Sequence, residues 1–447
     1  MTRTDSRGTS GARAAVVPVS DLLAAGFLFC RTRWGYRFRN RAALLRWQQR
    51  RLDKMLQGRG LHWRELPVID KSIVLADFER YNSQGVSLAE ALELAKASER
   101  SRDFRAELDG LTVGLSSGTS GRHGVFLLSS TERLLWAGTI LARVLDSAAL
   151  RQILSPWKPA LRIAFLLRAD SNLYNTVRSS RVAFDFYDLL EPLESHFEKL
   201  NSRQAELLIG PASVLRALAE AQLSGRLSLR PRKILSVAEE LDESDAEFLE
   251  RSFGVRPGQV YQATEGLLGF SCRLGTLHLN EQHVHFEQEW LDAERSRFVP
   301  IITDFTRSTQ LMLRYRLDDV LRVAEHPCRC GNPALALAGV DGRADAVLVF
   351  DGVNIFPDVL RRAMALASTE FQDWSVAQSG KRLLIGLRAP SQEAEERVRD
   401  ELTALFARYR LSVPKLEFGS WQAPAPGAKL RRIQLLAADA RREGSTA

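Results

Sequence analysis

Between residues 160 and 340 short apolar runs alternate with helical segments, and this alternation restricts the possible folds more than any other feature of the chain. "LRIAFLLR", "RVAFDFYDL", "AELLIG", "RKILSV" and "QVYQAT" have the length and the β-branched or aromatic content of buried strands. Between them, "PASVLRALAEAQL" and "SDAEFLERSF" carry apolar residues at helical spacing. A chain that alternates in this way predicts an α/β domain on a largely parallel sheet. Upstream, residues 40–58 and 87–99 predict helices. "STERLLWAGTILARVLDSAAL" predicts another, opened by a capping box between Ser129 or Ser130 and Glu132. "GTLHLNEQHVHFEQEW" (275–290) alternates with period two and predicts an antiparallel hairpin, with His283 and His285 exposed. Near residue 342 the pattern changes to a smaller α+β unit. The expected organisation is a disordered tail (1–18), a large α/β domain with mixed and parallel sheets (19–341) and a small C-terminal α+β domain (342–447).

A chain of 447 residues with 45% hydrophobic and 26% charged residues has the composition of a folded globular protein. Its net charge of +8 is compatible with nucleic-acid or membrane surfaces and equally with anionic nucleotide substrates. No zinc-finger, RNP-type or basic-zipper pattern appears, so nucleic acid is not an expected partner. No run approaches the ~18 apolar residues of a membrane-spanning helix. The N-terminal stretch reads as a Ser/Arg/Gly tail followed by an amphipathic helix. Asp21 interrupts its apolar block and no small-residue cleavage site follows, unlike a secretory leader. Four cysteines are too few for a disulfide framework, and a cytoplasmic location is the expectation. Cys30, in an apolar helix, reads as a small core residue.

Two clusters carry chemistry. "GLSSGTSGRHG" (114–124), between two β-prone runs, reads either as a flexible connection or as a loop whose backbone N–H groups wrap phosphate. It is not a P-loop, because Arg122 and His123 stand where that signature requires lysine and a hydroxyl. The second cluster is Cys272, His278, Cys328 and Cys330. C-x₅-H and C-x-C supply four ligands of the number and type that suit a structural Zn²⁺, although the spacing is not a common finger pattern. The alternative is reduced cysteines in a tight turn.

"SSGTSG" (116–121), "YQATEG" (261–266), "YRLDD" (315–319), "GRADA" (342–346) and "GAKLRR" (427–432) occur in an order that resembles the core motifs of the acyl-adenylate-forming, AMP-binding superfamily. "LPVIDK", "CRCG" and "GVNIFP" resemble its phenylacetate–CoA ligase and coenzyme F390 synthetase-related branch. The resemblance spans about residues 65 to 435 and implies a large ATP-binding domain with a small mobile C-terminal lid. The implied activity is Mg²⁺- and ATP-dependent adenylation of a carboxylic acid, then transfer to CoA or a carrier-protein thiol. Activation for amide or other non-thioester ligation, or a nucleotide binder without chemistry, stays open.

By the same resemblance, Ser117, Gly118, Thr119, Ser120, Gly121 and Arg122 would hold the β- and γ-phosphates, and Ala238 and Glu239 would flank adenine. Tyr261 would stack on the base, Thr264 would bond the α-phosphate and Glu265 would bind Mg²⁺. Asp319, assisted by Arg343, would hold the ribose, Asp345 would be the hinge acid, and Lys429 would reach the reacting carboxylate. The chain departs from the family pattern in two places: Ala428 separates Gly427 from Lys429, and Ala346 replaces a second acid. Apolar walls for the acid are expected from "FDFYDL" and "GLLGF", which favours an aryl or arylalkyl substrate. The oligomeric state, a homodimer included, stays open.

Overall fold

The computed structural model describes residues 19–35, 37–56, 63–115, 124–167, 178–367, 373–388, 391–422 and 432–436. The amino-terminal part is helical: α1 (Val19–Cys30), α2 (Arg41–Leu56), α3 (Lys71–Ala76) and α4 (Leu88–Ser101) precede the first sheet. Ser87 caps α4 in a reciprocal box with Glu90. Next comes a three-stranded antiparallel sheet, β1 (Glu107–Leu108), β2 (Leu111–Leu115) and β3 (Val125–Leu128). Its β2–β3 connection is the Gly/Ser/Thr-rich loop, so the expected strand–loop–strand unit is present. α5 (Ser130–Val144) opens on a capping box between Ser129 and Glu132, and α6 (Ser147–Leu154) follows.

The alternating segment builds five parallel strands. They are β4 (Leu161–Leu167), β5 (Val182–Asp188), β6 (Leu207–Gly210), β7 (Lys233–Val237) and β8 (Gly258–Ala263), in the order β5-β4-β6-β7-β8. Both faces of β4 are buried. Ile163 and Phe165 join a core with Val144, Leu145 and Ala149, while Ala164 and Leu166 join one with the helices Ala212–Leu223 and Glu243–Phe253. Helical cover on both sides is why these strands read as continuous apolar runs rather than alternating ones.

Beyond β8 the sheet continues antiparallel. β9 (Gly266–Ser271) pairs with β8, and β10 (Leu277–Leu279) pairs with β9. β11 (Val284–Trp290), β12 (Arg297–Asp304), β13 (Tyr315–Arg316), β14 (Asp319–Val323) and β15 (Ala336–Arg343) complete it. Here the expected hairpin of residues 275–290 is corrected. β10 pairs with β9 and β15, β11 pairs with β12, and the turn between them carries the chain from one region of the sheet to the other.

The carboxyl-terminal residues form a two-stranded ribbon, β16 (Leu348–Phe350) and β17 (Val353–Ile355), then a four-stranded sheet. That sheet contains β18 (Trp374–Ser379), β19 (Arg382–Leu387), β20 (Lys415–Ser420) and β21 (Ile433–Leu436). Helices Pro357–Ala367 and Gln392–Arg408 cover it, and Leu360, Met364, Val398, Leu402 and Phe406 fill a core of its own.

Candidate active site and metal centre

Open parallel sheets place ligands at the carboxyl ends of their strands. At the end of β7, Ala238 takes φ +64, a left-handed conformation that a residue with a Cβ rarely adopts. The turn aims Glu239 at a neighbouring helix, where its Oε2 accepts from the Ser213 amide at 3.0 Å. Glu240 forms an ion pair with Arg361 of the carboxyl-terminal helix Pro357–Ala367.

β8 and the turn after it supply Tyr261, Thr264 and Glu265. The Tyr261 hydroxyl donates to Asp319 Oδ2 at 2.6 Å. Burial, reinforced by the negative charge of Asp319, pushes the Tyr261 phenol well above its ordinary range. Burial also raises the Asp319 carboxyl, against the Tyr261 hydrogen bond and the Arg343 charge. Asp319 faces Arg343 in the β14–β15 register, and the Arg343 guanidinium donates to Asp318 at 2.6 Å. Thr264 Oγ1 donates to Glu265 Oε2 at 2.8 Å, and the Tyr315 hydroxyl donates to Oε1 at 3.2 Å. One hydroxyl on each oxygen fixes the plane of this carboxylate.

Glu265 and Thr264 open into a recess lined also by Lys71, Val74, Gly124, Phe126, Met312 and Tyr315. Gly124 ends the Gly/Ser/Thr-rich loop and Phe126 lies on β3 directly after it, so the stem of that loop and Glu265 meet in one place. Ser117, Gly118, Thr119, Ser120, Gly121 and Arg122 themselves lie outside the described residues, as does Lys429. The backbone of Asp345 falls in the one-turn helix Ala344–Ala346, directly after β15.

Sequence reasoning gave no role to Lys71, Asp318 or Tyr315. Burial lowers the Lys71 ammonium from its ordinary value, and Glu265 and Asp318 oppose that shift. The signal was available in "LPVIDK": Asp70 caps α3, accepting from the Ile73 amide at 2.9 Å, and so sets Lys71 on the first turn. The expected substrate walls are corrected in part. "FDFYDL" is β5, the sheet edge beyond β7, β6 and β4, and adjacent strands lie about 5 Å apart. Its Phe184 and Tyr187 are buried in the two cores of the parallel sheet.

The cysteine cluster closes. Cys272 opens the turn after β9, His278 lies on β10, and Cys328 and Cys330 lie on the β14–β15 connection; their ligand atoms all fall within 4.8 Å of one another. Cys272 Sγ and Cys328 Sγ are 3.8 Å apart, and Cys330 Sγ lies 3.4 Å from His278 Nε2. Four ligands about 2.3 Å from a tetrahedral ion would stand about 3.8 Å apart. His278 Nδ1 lies 3.0 Å from the Ala334 carbonyl, which places the ring proton there and leaves Nε2 to act as donor to a metal. Amides of Leu274 and Asn332 point at the Cys272 and Cys330 sulfurs, each at 3.4 Å. The cluster can hold a metal ion.

His283 and His285, expected on an exposed face, are instead enclosed. His283 is 3% exposed and lies 3.0 Å from Thr32 Oγ1, and His285 lies against Gln48 and edge-on to Trp63. The amino-terminal helices lie over this side of the β10–β11 turn. Cys30, expected in the core, is exposed, because α1 turns its other face to α5.

No protein-family model matches the chain, and no curated protein is similar to it. Solved structures are similar. A 2-hydroxyisobutyryl-CoA ligase in the postadenylation state superposes with a TM-score of 0.58 at 14% identity, covering 94% of this chain and 89% of that one. The same ligase with 2-hydroxyisobutyryl-AMP gives 0.57 at 16% identity, with 89% of each chain covered. A structure from a study of fatty acyl-adenylate ligases from E. coli and L. pneumophila gives 0.51 at 12% identity, covering 72% and 68%. The chain has the acyl-adenylate-forming fold. In this fold the large mixed sheet carries Tyr261, Thr264, Glu265, Asp319 and Arg343 at one site.

Proposed function

We propose that this protein is an ATP-dependent ligase that activates a carboxylic acid as its acyl-adenylate and passes the acyl group to a thiol, of CoA or a carrier protein. The observation that carries the reading is the convergence of Tyr261, Thr264, Glu265, Asp319 and Arg343 beside the stem of the Gly/Ser/Thr-rich loop. In this reading an acid carboxylate oxygen attacks the α-phosphorus and pyrophosphate leaves. A thiol then attacks the acyl carbon and AMP leaves.

Tyr261 stacks on adenine while its hydroxyl orients Asp319, which accepts from the ribose hydroxyls with Arg343 behind it. Ala238 and Glu239 form the edge of the base site. Thr264 turns its hydroxyl to the α-phosphate, and residues 117–122 enclose the β- and γ-phosphates with backbone and hydroxyl donors. Glu265 offers the hard carboxylate oxygens that suit Mg²⁺, which when bound neutralises phosphate charge. Lys71, kept partly desolvated, adds a cation at the same recess. Residues 342–447 act as the lid, turning about Asp345 so that Lys429 stabilises charge at the reacting carboxylate and phosphate. Val74, Phe126 and Met312 give the recess an apolar wall, in keeping with an aryl or arylalkyl acid of the phenylacetate–CoA ligase type. Cys272, His278, Cys328 and Cys330 hold a structural Zn²⁺ that ties β9 and β10 to the β14–β15 connection.

The test is pyrophosphate release across aryl, arylalkyl and short fatty acids, with and without CoA. Acid-dependent release is expected, lost by ~100-fold or more in Glu265→Gln. Full activity of that variant, or no release with any acid, would overturn the proposal.

A further inference from the structure

The helix α1 leaves a row of apolar side chains in solvent. Leu23, Phe27 and Cys30 on α1, and Trp34 on the π-helical turn Arg31–Gly35 that continues it, follow one another at intervals of four, three and four, which places them along one helical face. Leu23 is 69% exposed, Phe27 66% and Trp34 48%. The opposite face is firmly held. Gly138 of α5 approaches so closely that a Cβ there would stand 2.6 Å from the Ala25 carbonyl oxygen. Arg33 donates to the carbonyls of Ala142 and Leu145 at the end of α5, and Phe29 packs on the sheet core. The exposed row is therefore a fixed feature of the surface.

The chain that follows is basic. From residue 22 to residue 52 there are eight arginines and no carboxylate. Arg37, Arg39, Arg46 and Arg50 are exposed, and so is Leu45 between them at 41%. The two elements meet on the same turn: Thr32 lies 3.0 Å from the His283 ring, and Gln48 donates to the carbonyls of Glu281 and Val284.

We infer that α1 and the outer face of α2 form a docking surface for a bilayer containing anionic phospholipid. A helix with an apolar row, bordered by arginines and ending in tryptophan, suits insertion of Leu23 and Phe27 among acyl chains with Trp34 at the headgroup level. The arginines meet lipid phosphates and supply the second of the two signals that stable anchoring requires. Charge selects this occupant. A second copy would bring the same arginines against one another, and a nucleic-acid backbone has no use for a leucine–phenylalanine row. Among the described residues no helix is long and apolar enough to cross a membrane, so the contact lies on the surface. The inference is independent of the ligase reading.

The test is flotation of the full chain with vesicles of phosphatidylserine and phosphatidylcholine, compared with phosphatidylcholine alone. Binding is expected to the anionic vesicles and to weaken with salt. Leu23→Ser with Phe27→Ser should lower it roughly tenfold or more. Arg46→Glu with Arg50→Glu should lower it roughly 25-fold or more, at about fivefold per arginine lost. All four sites are exposed, and an unchanged thermal midpoint checks that the variants fold. Wild-type protein that stays unbound, or variants that float as well as wild type, would overturn the inference. So would duplex DNA as the preferred ligand, or a dimer in solution that Phe27→Ser dissociates.

Discussion

His283 should make the folded state sensitive to mild acid. Burial, with the charges of Arg143, Arg51 and Arg31 behind it, pushes the imidazole from 6.5 down to about 3. In the unfolded chain the ring returns to its ordinary value, so below about pH 6.5 the unfolded state binds a proton that the folded state refuses. Stability from this residue is complete above that pH and is lost as pH falls through the window from about 6.5 to about 3. The full gap is worth about 5 kcal/mol. Between about pH 7.5 and about 5.5 the loss from His283 alone is roughly 1 to 2 kcal/mol, whatever the folded value, provided it lies well below 5. The assay is equilibrium urea unfolding at both pH values, for wild type and His283→Gln. Glutamine can still bond Thr32 but cannot take up a proton, so the variant should lose less stability over the interval by that amount. Equal losses in both proteins, or an NMR titration of His283 near 6.5, would refute the reasoning.

Two further outcomes test the structure elsewhere. Asp341 is fully buried and accepts from Arg297 at 2.8 Å and Arg322 at 3.0 Å, so Asp341→Ala leaves two guanidinium groups facing a buried gap. A loss of about 3–5 kcal/mol is expected in denaturant unfolding, and a loss within error of zero would show that solvent screens the pair. Zinc analysis of purified wild type should find one ion per chain. Cys330→Ser should lower the content and the thermal midpoint together, whereas metal-free wild type would remove the zinc assignment.

The α/β character of the large domain was legible because its sheet is made of locally coherent pieces, whereas the adenylate-forming resemblance rested on motifs. β4 to β8 read as apolar runs of strand length, and the box at Ser129 is set by Glu132 three residues on. The candidate site was legible only through motifs. Tyr261 and Asp319 are far apart in sequence and meet because β8 and β14 belong to one sheet. Lys71 escaped notice because nothing beside it in sequence is a functional partner; Glu265 reaches it only through the packing of α3 on the sheet. The part of "GLLGF" at Leu267 and Leu268 is apolar because the cores on the two sides of the sheet require it.

The amino acids alone determined which segments become strands and helices, where several helices start, and that three cysteines and a histidine are suitable metal donors. These follow from side-chain shape, short-range hydrogen bonds and ligand chemistry, which act within a few residues. Only the tertiary structure decided which surfaces are covered. It enclosed His283 under Thr32 and left Cys30 in solvent, although a period-two strand and an apolar helix argued the reverse. Periodicity shows that a segment has two faces, whereas burial depends on what distant residues are folded against each of them.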